Sequence, residues 1–217
     1  MQHDYSRVRS YWDNNRVSVH RDASEDAFRE YADELVAVCS PRGDETVLDV
    51  GCGDGQLAAL IRPRVARVDG IDFAAHRVAN AAALVPDGSF TTQSFLDSYP
   101  AGGYDLVYSW SVMQYCHPAD VDTLFERCVA ALRPGGRVVH GDVIDRALLP
   151  RLYLGAITPG GLARFTRARL RPRAPIWRDG SFAHDLSRIA DRLRSGGSDV
   201  ALVPARCAYR RHVVVTA

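Results

Sequence analysis

The chain has 217 residues and a formal net charge of +1, and 47% of its residues are hydrophobic. This length suits one domain with a small appendage, and the apolar content argues against disorder. A near-neutral charge gives no general attraction to nucleic acid. No apolar run approaches the length of a membrane span, and the polar N-terminus predicts no signal peptide. The five cysteines are scattered without a CxxC pair, which predicts no metal site or disulfide framework and favours a reducing, cytoplasmic setting.

The first forty residues are predicted to be helical and to precede a strand–helix alternation. Ser24 and Asp26 open a predicted helix over residues 27–39, where apolar positions recur at helical spacing. We interpret residues 1–40 as an N-terminal helical cap that either packs on the core or covers a substrate. Its candidate substrate contacts are Tyr11, Trp12 and His20.

From residue 46 onward, β-prone segments alternate with helical ones. The predicted strands cover residues 46–50, 65–71, 89–93, 104–109 and 137–143. This alternation is typical of a three-layer α/β sandwich with a mostly parallel sheet, here assigned to residues 41–217. Two further β-prone runs, 199–203 and 207–215, suit an antiparallel hairpin that closes the chain.

Residues 144–180 interrupt the alternation and differ in composition. Eight arginines lie from Arg146 to Arg178, with no aspartate or glutamate between them. A shift of this size indicates an insertion, which we expect to form a lid, followed by a helix over residues 181–194. Arginine binds carboxylate and phosphate in a two-pronged geometry, so the segment could select an anionic acceptor. Docking onto the acidic remainder of the domain is the alternative.

The segment 46–57 runs from a short strand into D-V-G-C-G-D-G and then into a predicted helix. Gly51, Gly53 and Gly55 let the backbone turn sharply and approach a ligand where a Cβ would collide. Amides at the start of the helix suit a polar or anionic ligand. The spacing G-x-G-x-G is not the dinucleotide fingerprint, and Asp49 stands two residues before the first glycine.

Ligands of open α/β sheets bind beyond the carboxyl ends of the strands. Asp72 ends the second predicted strand, where a carboxylate can accept hydrogen bonds from both hydroxyls of a ribose. Phe73 offers an apolar face to a planar base. Each has a structural alternative, because an acid after a strand can cap a helix and a phenylalanine can belong to the core.

Four motifs occur together: D-V-G-C-G-D-G, G-I-D-F, Y-D-L-V-Y-S and L-R-P-G-G-R-V-V. In order and spacing the chain resembles class I S-adenosylmethionine-dependent methyltransferases. The resemblance implies a seven-stranded sheet with its last strand antiparallel, and S-adenosylmethionine as cofactor. Ser94 stands where the family commonly has an acid at the adenine. The implied cofactor-binding residues are Asp49, Gly51, Cys52, Gly53, Gly55, Asp72, Phe73, Ser94, Phe95 and Trp110.

Methyl transfer requires alignment of the nucleophile, and a base is needed only when that nucleophile arrives protonated. Small-molecule members of the family often carry His-His after strand four, where this chain has M-Q-Y-C-H. We predict that Tyr115 orients the acceptor and that His117 acts as a base. His140 is a reserve base, and Asp142 either faces the substrate or caps the next element.

The chain lacks the N-P-P-Y and D-P-P-Y motifs of many enzymes that methylate amino groups of nucleic acid or protein. It also lacks a separate nucleic-acid module. We therefore predict O- or N-methylation of a small-molecule acceptor. The alternatives are a carrier-bound or polymeric acidic substrate, and a non-catalytic relative that has kept the fold.

Overall fold

The computed structural model describes residues 3–14, 25–97, 99, 103–154 and 180–216. Seven strands form one sheet, which confirms the predicted α/β architecture. The strands are β1 Thr46–Val50, β2 Arg67–Asp72, β3 Phe90–Thr92, β4 Tyr104–Trp110, β5 Leu132–Ile144, β6 Asp199–Pro204 and β7 Arg210–Thr216. The helices are α1 Ser6–Asn14, α2 Glu25–Cys39, α3 Gln56–Ile61, α4 Ala75–Leu84, α5 Val121–Ala130, α6 Leu149–Leu154 and α7 Leu186–Ser195.

The strand order is β3-β2-β1-β4-β5-β7-β6. The first five strands pair in parallel, while β7 is antiparallel to both of its neighbours, as predicted. Because the order reverses between β1 and β4, the loops after these two strands diverge to opposite sides. A crevice forms at such a switch point, at the carboxyl ends of the strands.

Alternate side chains of the sheet are buried on its two faces, as strand geometry dictates. From β1, Val47 packs in a cluster with Leu35 of α2 and Ile61 of α3. Leu48 lies on the opposite face, in a cluster that includes residues of α5 and α7. Helices therefore cover both faces of the sheet, and α2 is part of the core.

The end of α2 is fixed to the sheet by Arg137 of β5. Its guanidinium donates to the carbonyl oxygens of Cys39 (Nε, 3.0 Å) and Ser40 (Nη2, 2.9 Å) and to Glu45 Oε2 (3.0 Å). Burial raises the pKa of Glu45, but hydrogen bonds from Arg137 and Arg42 outweigh it and hold that pKa at about 2. This ion pair fixes where α2 lies relative to the strand ends.

The helix predicted from residue 181 begins instead at Leu186. The Asp185 side chain accepts the Arg188 N–H (3.2 Å) and so caps the helix at that point. The preceding residues are extended against the core, with the Phe182 N–H donating to the Gln114 carbonyl (2.6 Å). Of the predicted insertion only residues 144–154 and 180 lie within the described residues, so the arginines from 164 to 178 lie outside them.

None of the helices in the described part of the chain is long and apolar enough to cross a membrane.

Candidate functional site

A cleft opens at the carboxyl ends of β1, β2, β4 and β5 and encloses about 1120 Å³ including its open mouth. One end of the cleft holds the glycine loop and the end of β2, and the other holds polar side chains that follow β4 and β5. Of the predicted site residues, Trp12, Asp49, Gly51, Cys52, Gly53, Asp72, Phe73, Phe95, Trp110, Tyr115 and Asp142 line it.

The three loop glycines adopt positive φ for different reasons, with values of 80°, 52° and 83° at Gly51, Gly53 and Gly55. A Cβ at Gly51 would collide with Val112, and one at Gly55 would come within 2.7 Å of Ala81. These two glycines therefore allow the loop to pack on its neighbours. Among the described residues, a Cβ at Gly53 would find no atom closer than 3.9 Å, so Gly53 is the loop glycine with open space beside it.

Asp72 is oriented by the loop and by the start of α4. Its Oδ2 accepts the Gly53 N–H (3.0 Å) and its Oδ1 accepts the Ala74 N–H (2.9 Å). Burial raises the pKa of Asp72, and these two N–H groups oppose that rise. Each carboxylate oxygen has a second lone pair, so the side chain can still accept hydrogen bonds from a ligand in the cleft.

Asp49 lies deeper in the cleft, at the end of β1. The Tyr108 hydroxyl donates to its Oδ2 (2.7 Å). Burial raises the pKa of Asp49 to about 7 despite this hydrogen bond. An ionisable group of this kind in a cleft responds strongly to the charge of a bound ligand.

The apolar wall beside Asp72 is formed by Phe73 and Phe95. Ser94 does not line the cleft, because its N–H donates to Asp97 Oδ2 (3.0 Å) and its Oγ accepts the Leu96 N–H (3.3 Å). Its predicted position beside a ligand base is taken by Phe95 and by the preceding residue, Gln93.

Helix α1 covers the cleft through Trp12. The indole lies 5.0 Å from the guanidinium carbon of Arg77 and meets the Tyr115 ring edge-on at 5.5 Å. Arg77 is buried and donates to Asp54 Oδ2 (3.0 Å). Tyr11, by contrast, is 39% exposed and does not line the cleft, and His20 lies outside the described residues.

Neither described histidine of the predicted set lines the cleft. The His117 ring stacks on His3 at 4.1 Å, on the side of the loop that faces the start of α1. His140 is fully buried, with its Nδ1 2.7 Å from Ser109 Oγ. Burial lowers the pKa of His140 to about 3, which keeps this histidine neutral inside the core.

The polar end of the cleft joins β4, β5 and β7. Arg210 Nη1 donates to Asp142 Oδ2 (2.9 Å) and to Gln114 Oε1 (2.7 Å). The Ser111 hydroxyl donates to the same Asp142 oxygen. Tyr31 of α2 also lines this end.

Sequence reasoning placed only Asp142 in this group and missed Tyr31, Ser111, Gln114 and Arg210. Tyr31 has the spacing of a core position of α2, and Arg210 lies in a segment that was interpreted only as a strand. Both reach the cleft through tertiary contacts, for which the sequence carries no local signal. Within the described residues, no group of three or more His, Cys, Asp or Glu side chains is placed to hold a metal ion.

Comparisons with known proteins show which family and which fold this chain resembles. Residues 47–136 match a family described as a methyltransferase domain. An uncharacterised methyltransferase from Mycobacterium tuberculosis is 29% identical over 169 residues, which cover 76% of this chain and 85% of the relative. Trans-aconitate 2-methyltransferase from Escherichia coli is 33% identical over 105 residues, which cover 48% of this chain and 41% of that enzyme.

Solved structures extend the similarity to almost the whole chain. The N-methyltransferase NodS from Bradyrhizobium japonicum, in complex with S-adenosyl-L-homocysteine, matches with a TM-score of 0.66. The match covers 97% of this chain and 96% of NodS at 17% sequence identity. At this identity the likeness concerns the fold.

Proposed function

We propose, from the premise that this chain belongs to the class I S-adenosylmethionine-dependent methyltransferases, that it methylates a small molecule bound at the polar end of the cleft. The observation that carries the proposal is the continuity of the cleft. It runs from Gly53 and Asp72 to Ser111, Asp142 and Arg210. One molecule in the first part and another in the second part would therefore meet without a barrier between them.

The side chains at the proposed cofactor end suit S-adenosylmethionine. Gly53 leaves room for the ligand, and the Asp72 carboxylate retains lone pairs for the ribose hydroxyls. Phe73 and Phe95 provide apolar surface for the adenine. When bound, the cofactor supplies an electrophilic methyl group, so the protein has mainly to orient the acceptor and exclude water.

Trp12 and Tyr115 support water exclusion, because both rings lie at the cleft and contact each other edge-on. In this proposal Tyr115 also restricts the position of the acceptor. A closed, dry site favours methylation of the acceptor over reaction with water.

The position of Arg210 favours an acceptor that carries a negative charge. Its guanidinium lies at the cleft with a partly exposed side chain. The relative from Escherichia coli is named for trans-aconitate, an anion. Arginine suits carboxylate groups because its N–H donors form a planar fork.

The cofactor site is tested by calorimetry with S-adenosylhomocysteine on Asp72→Ala. We expect affinity to fall by about 30-fold or more, since hydrogen bonds to a buried charged group are lost. Asp87→Ala is the matched control, because Asp87 pairs with Arg62 on the surface and does not line the cleft. Equal affinity in wild type and Asp72→Ala would refute the assignment.

Methyl transfer itself is tested by incubating the protein with S-adenosylmethionine and a panel of anionic and neutral small molecules. Mass spectrometry should find an acceptor that gains one CH₂ in mass, with anionic compounds favoured at low ionic strength. If only neutral acceptors react, at rates indifferent to salt, the anionic form of the proposal is wrong.

A further inference from the structure

Asp142 lines the polar end of the cleft, and the two oxygens of its carboxylate differ in their hydrogen bonds. Its Oδ2 is held by the Ser111 hydroxyl and by Arg210 Nη1. In the part of the chain that the structure describes, no hydrogen bond reaches Oδ1. The side chain is only 6% exposed, and Asp142 lines the cleft. Oδ1 is not one of the buried atoms that lack a partner in the described residues, so it reaches solvent and its lone pairs can accept a hydrogen bond from a ligand.

The backbone is distorted at Asp142 and at Ser111, which binds its carboxylate. Asp142 has φ of 55° and Ser111 has φ of 57°, in the left-handed region that non-glycine residues rarely adopt. The register between β5 and β7 also shifts between His140 and Val143, as at a β-bulge. Strained residues and bulges of this kind cluster at functional sites, where they aim a side chain.

Surrounding groups keep the distortion in place. The Ser111 N–H donates to the Gly141 carbonyl (3.0 Å), and the Asp142 N–H donates to His212 Nδ1 (3.1 Å). The other ring nitrogen of His212 lies 3.0 Å from Glu34 Oε1 of α2. Three strands and one helix therefore fix the orientation of a single carboxylate.

We propose that Asp142 is the catalytic base of this chain and that Ser111 and Arg210 are its positioning residues. This inference rests on the proposed function and narrows the acceptor to one methylated on a hydroxyl oxygen or a protonated nitrogen. As that atom bonds to the methyl carbon, its bond to hydrogen breaks and the proton passes to Asp142 Oδ1. The electron pair of the breaking carbon–sulfur bond stays on the sulfur of the cofactor.

The charges around Asp142 suit this role. Burial raises the pKa of Asp142, and the neighbouring Arg210 guanidinium opposes that rise. A carboxylate with a raised pKa is more basic than an exposed one and so accepts a proton more readily. A carboxylate as the methylated group would bring no proton and would place a second negative charge against Oδ1. An anionic group elsewhere on the acceptor remains compatible with the site.

The test uses sinefungin, the cofactor analogue in which a carbon bearing an amino group replaces the methylated sulfur. Its ammonium group points toward the acceptor side, so an ionised carboxylate there attracts it. We expect calorimetry to show that wild type binds sinefungin about tenfold more tightly than S-adenosylhomocysteine. In Asp142→Asn this preference should disappear while the affinity for S-adenosylhomocysteine stays unchanged.

Glu34→Gln is the matched control. It removes the negative charge of a residue that contacts His212, and Glu34 does not line the cleft. It should keep the preference for sinefungin. Ser111→Gly retains the left-handed backbone but removes one bond to Oδ2, so we expect the preference to fall only about twofold to fivefold. This variant reports on the site even if Asp142→Asn does not fold.

The outcomes separate the two proposals. If wild type binds both ligands equally, or if Asp142→Asn keeps the preference, the role of Asp142 is overturned while the cofactor site stands. If wild type binds neither ligand, the proposed function fails, and the assignment of Asp142 fails with it.

Discussion

Asp49 is an acid buried at the end of a core strand, with the Tyr108 hydroxyl as its hydrogen-bond donor. Its pKa of about 7 in the folded protein lies well above the ordinary value of 3.8. At a pH between these two pKa values, Asp49 is protonated in the folded state and ionised in the unfolded chain. The free energy of unfolding contributed by Asp49 therefore falls as pH rises from about 4 to 7, and is level above that range.

We expect Asp49→Asn to remove this dependence. Relative to the variant, wild type should lose up to about 4 kcal/mol of unfolding free energy between pH 4 and pH 8. Urea unfolding across this pH range measures the difference. Asp87→Asn is the control, and its pH dependence should have the opposite sign. Arg62 lowers the pKa of Asp87, so the contribution of Asp87 to the free energy of unfolding is lost as pH falls. Parallel curves for wild type and Asp49→Asn would contradict the raised pKa.

Site residues could be predicted from the sequence where they lie together in one short segment. The glycine loop and Asp72 follow strands that the sequence shows clearly, and both line the cleft. The pair of Asp142 and Arg210 was not predictable as a unit. Its geometry depends on a positive φ and on a register shift between β5 and β7, and neither leaves a pattern in the sequence.

Helix α1 contacts both the cleft and the loop that precedes α5. The Tyr5 hydroxyl, just before the helix, donates to Asp120 Oδ2 (2.8 Å) and accepts the His117 N–H (2.9 Å). Trp12, near the other end, packs on Arg77 at the cleft. The sequence left two interpretations of this segment open, packing on the core and cover over a substrate. Trp12 lines the cleft, and cover over a substrate stays a prediction.

We propose that α1 retains the cofactor, and Trp12→Ala tests this. Loss of the contacts to Arg77 and Tyr115 should make S-adenosylhomocysteine dissociate about tenfold faster, as measured by stopped-flow displacement. Tyr11→Ala is the neighbouring control, since Tyr11 is exposed and does not line the cleft. Dissociation at the wild-type rate in Trp12→Ala would show that α1 does not retain the ligand.

The predicted helices and strands were most accurate where the apolar pattern was continuous. The helix predicted over residues 27–39, for example, is α2, which covers Glu25–Cys39. The start of α7 was misplaced by five residues, because the helix is capped by Asp185. The extended residues before Asp185 pair with the core instead, and tertiary contacts of this kind override local propensity.

For the whole molecule, the strand order brings the glycine loop, Asp72 and Asp142 together at the carboxyl ends of the strands, although they are far apart in sequence. The order could be inferred only from the resemblance to a known family, because spacing alone does not define which strands are neighbours. The same order puts the proposed cofactor and acceptor ends side by side. A ligand bound in the predicted orientation would therefore lie across the carboxyl ends of these strands.

A crystal structure of the full chain with S-adenosylhomocysteine tests this orientation most directly. The account predicts that the ribose hydroxyls lie within hydrogen-bond distance of the Asp72 carboxylate. It also predicts that the adenine lies against Phe73 and Phe95 and that the sulfur faces the end of the cleft that holds Asp142. A ligand bound elsewhere, or one whose ribose does not contact Asp72, would contradict it.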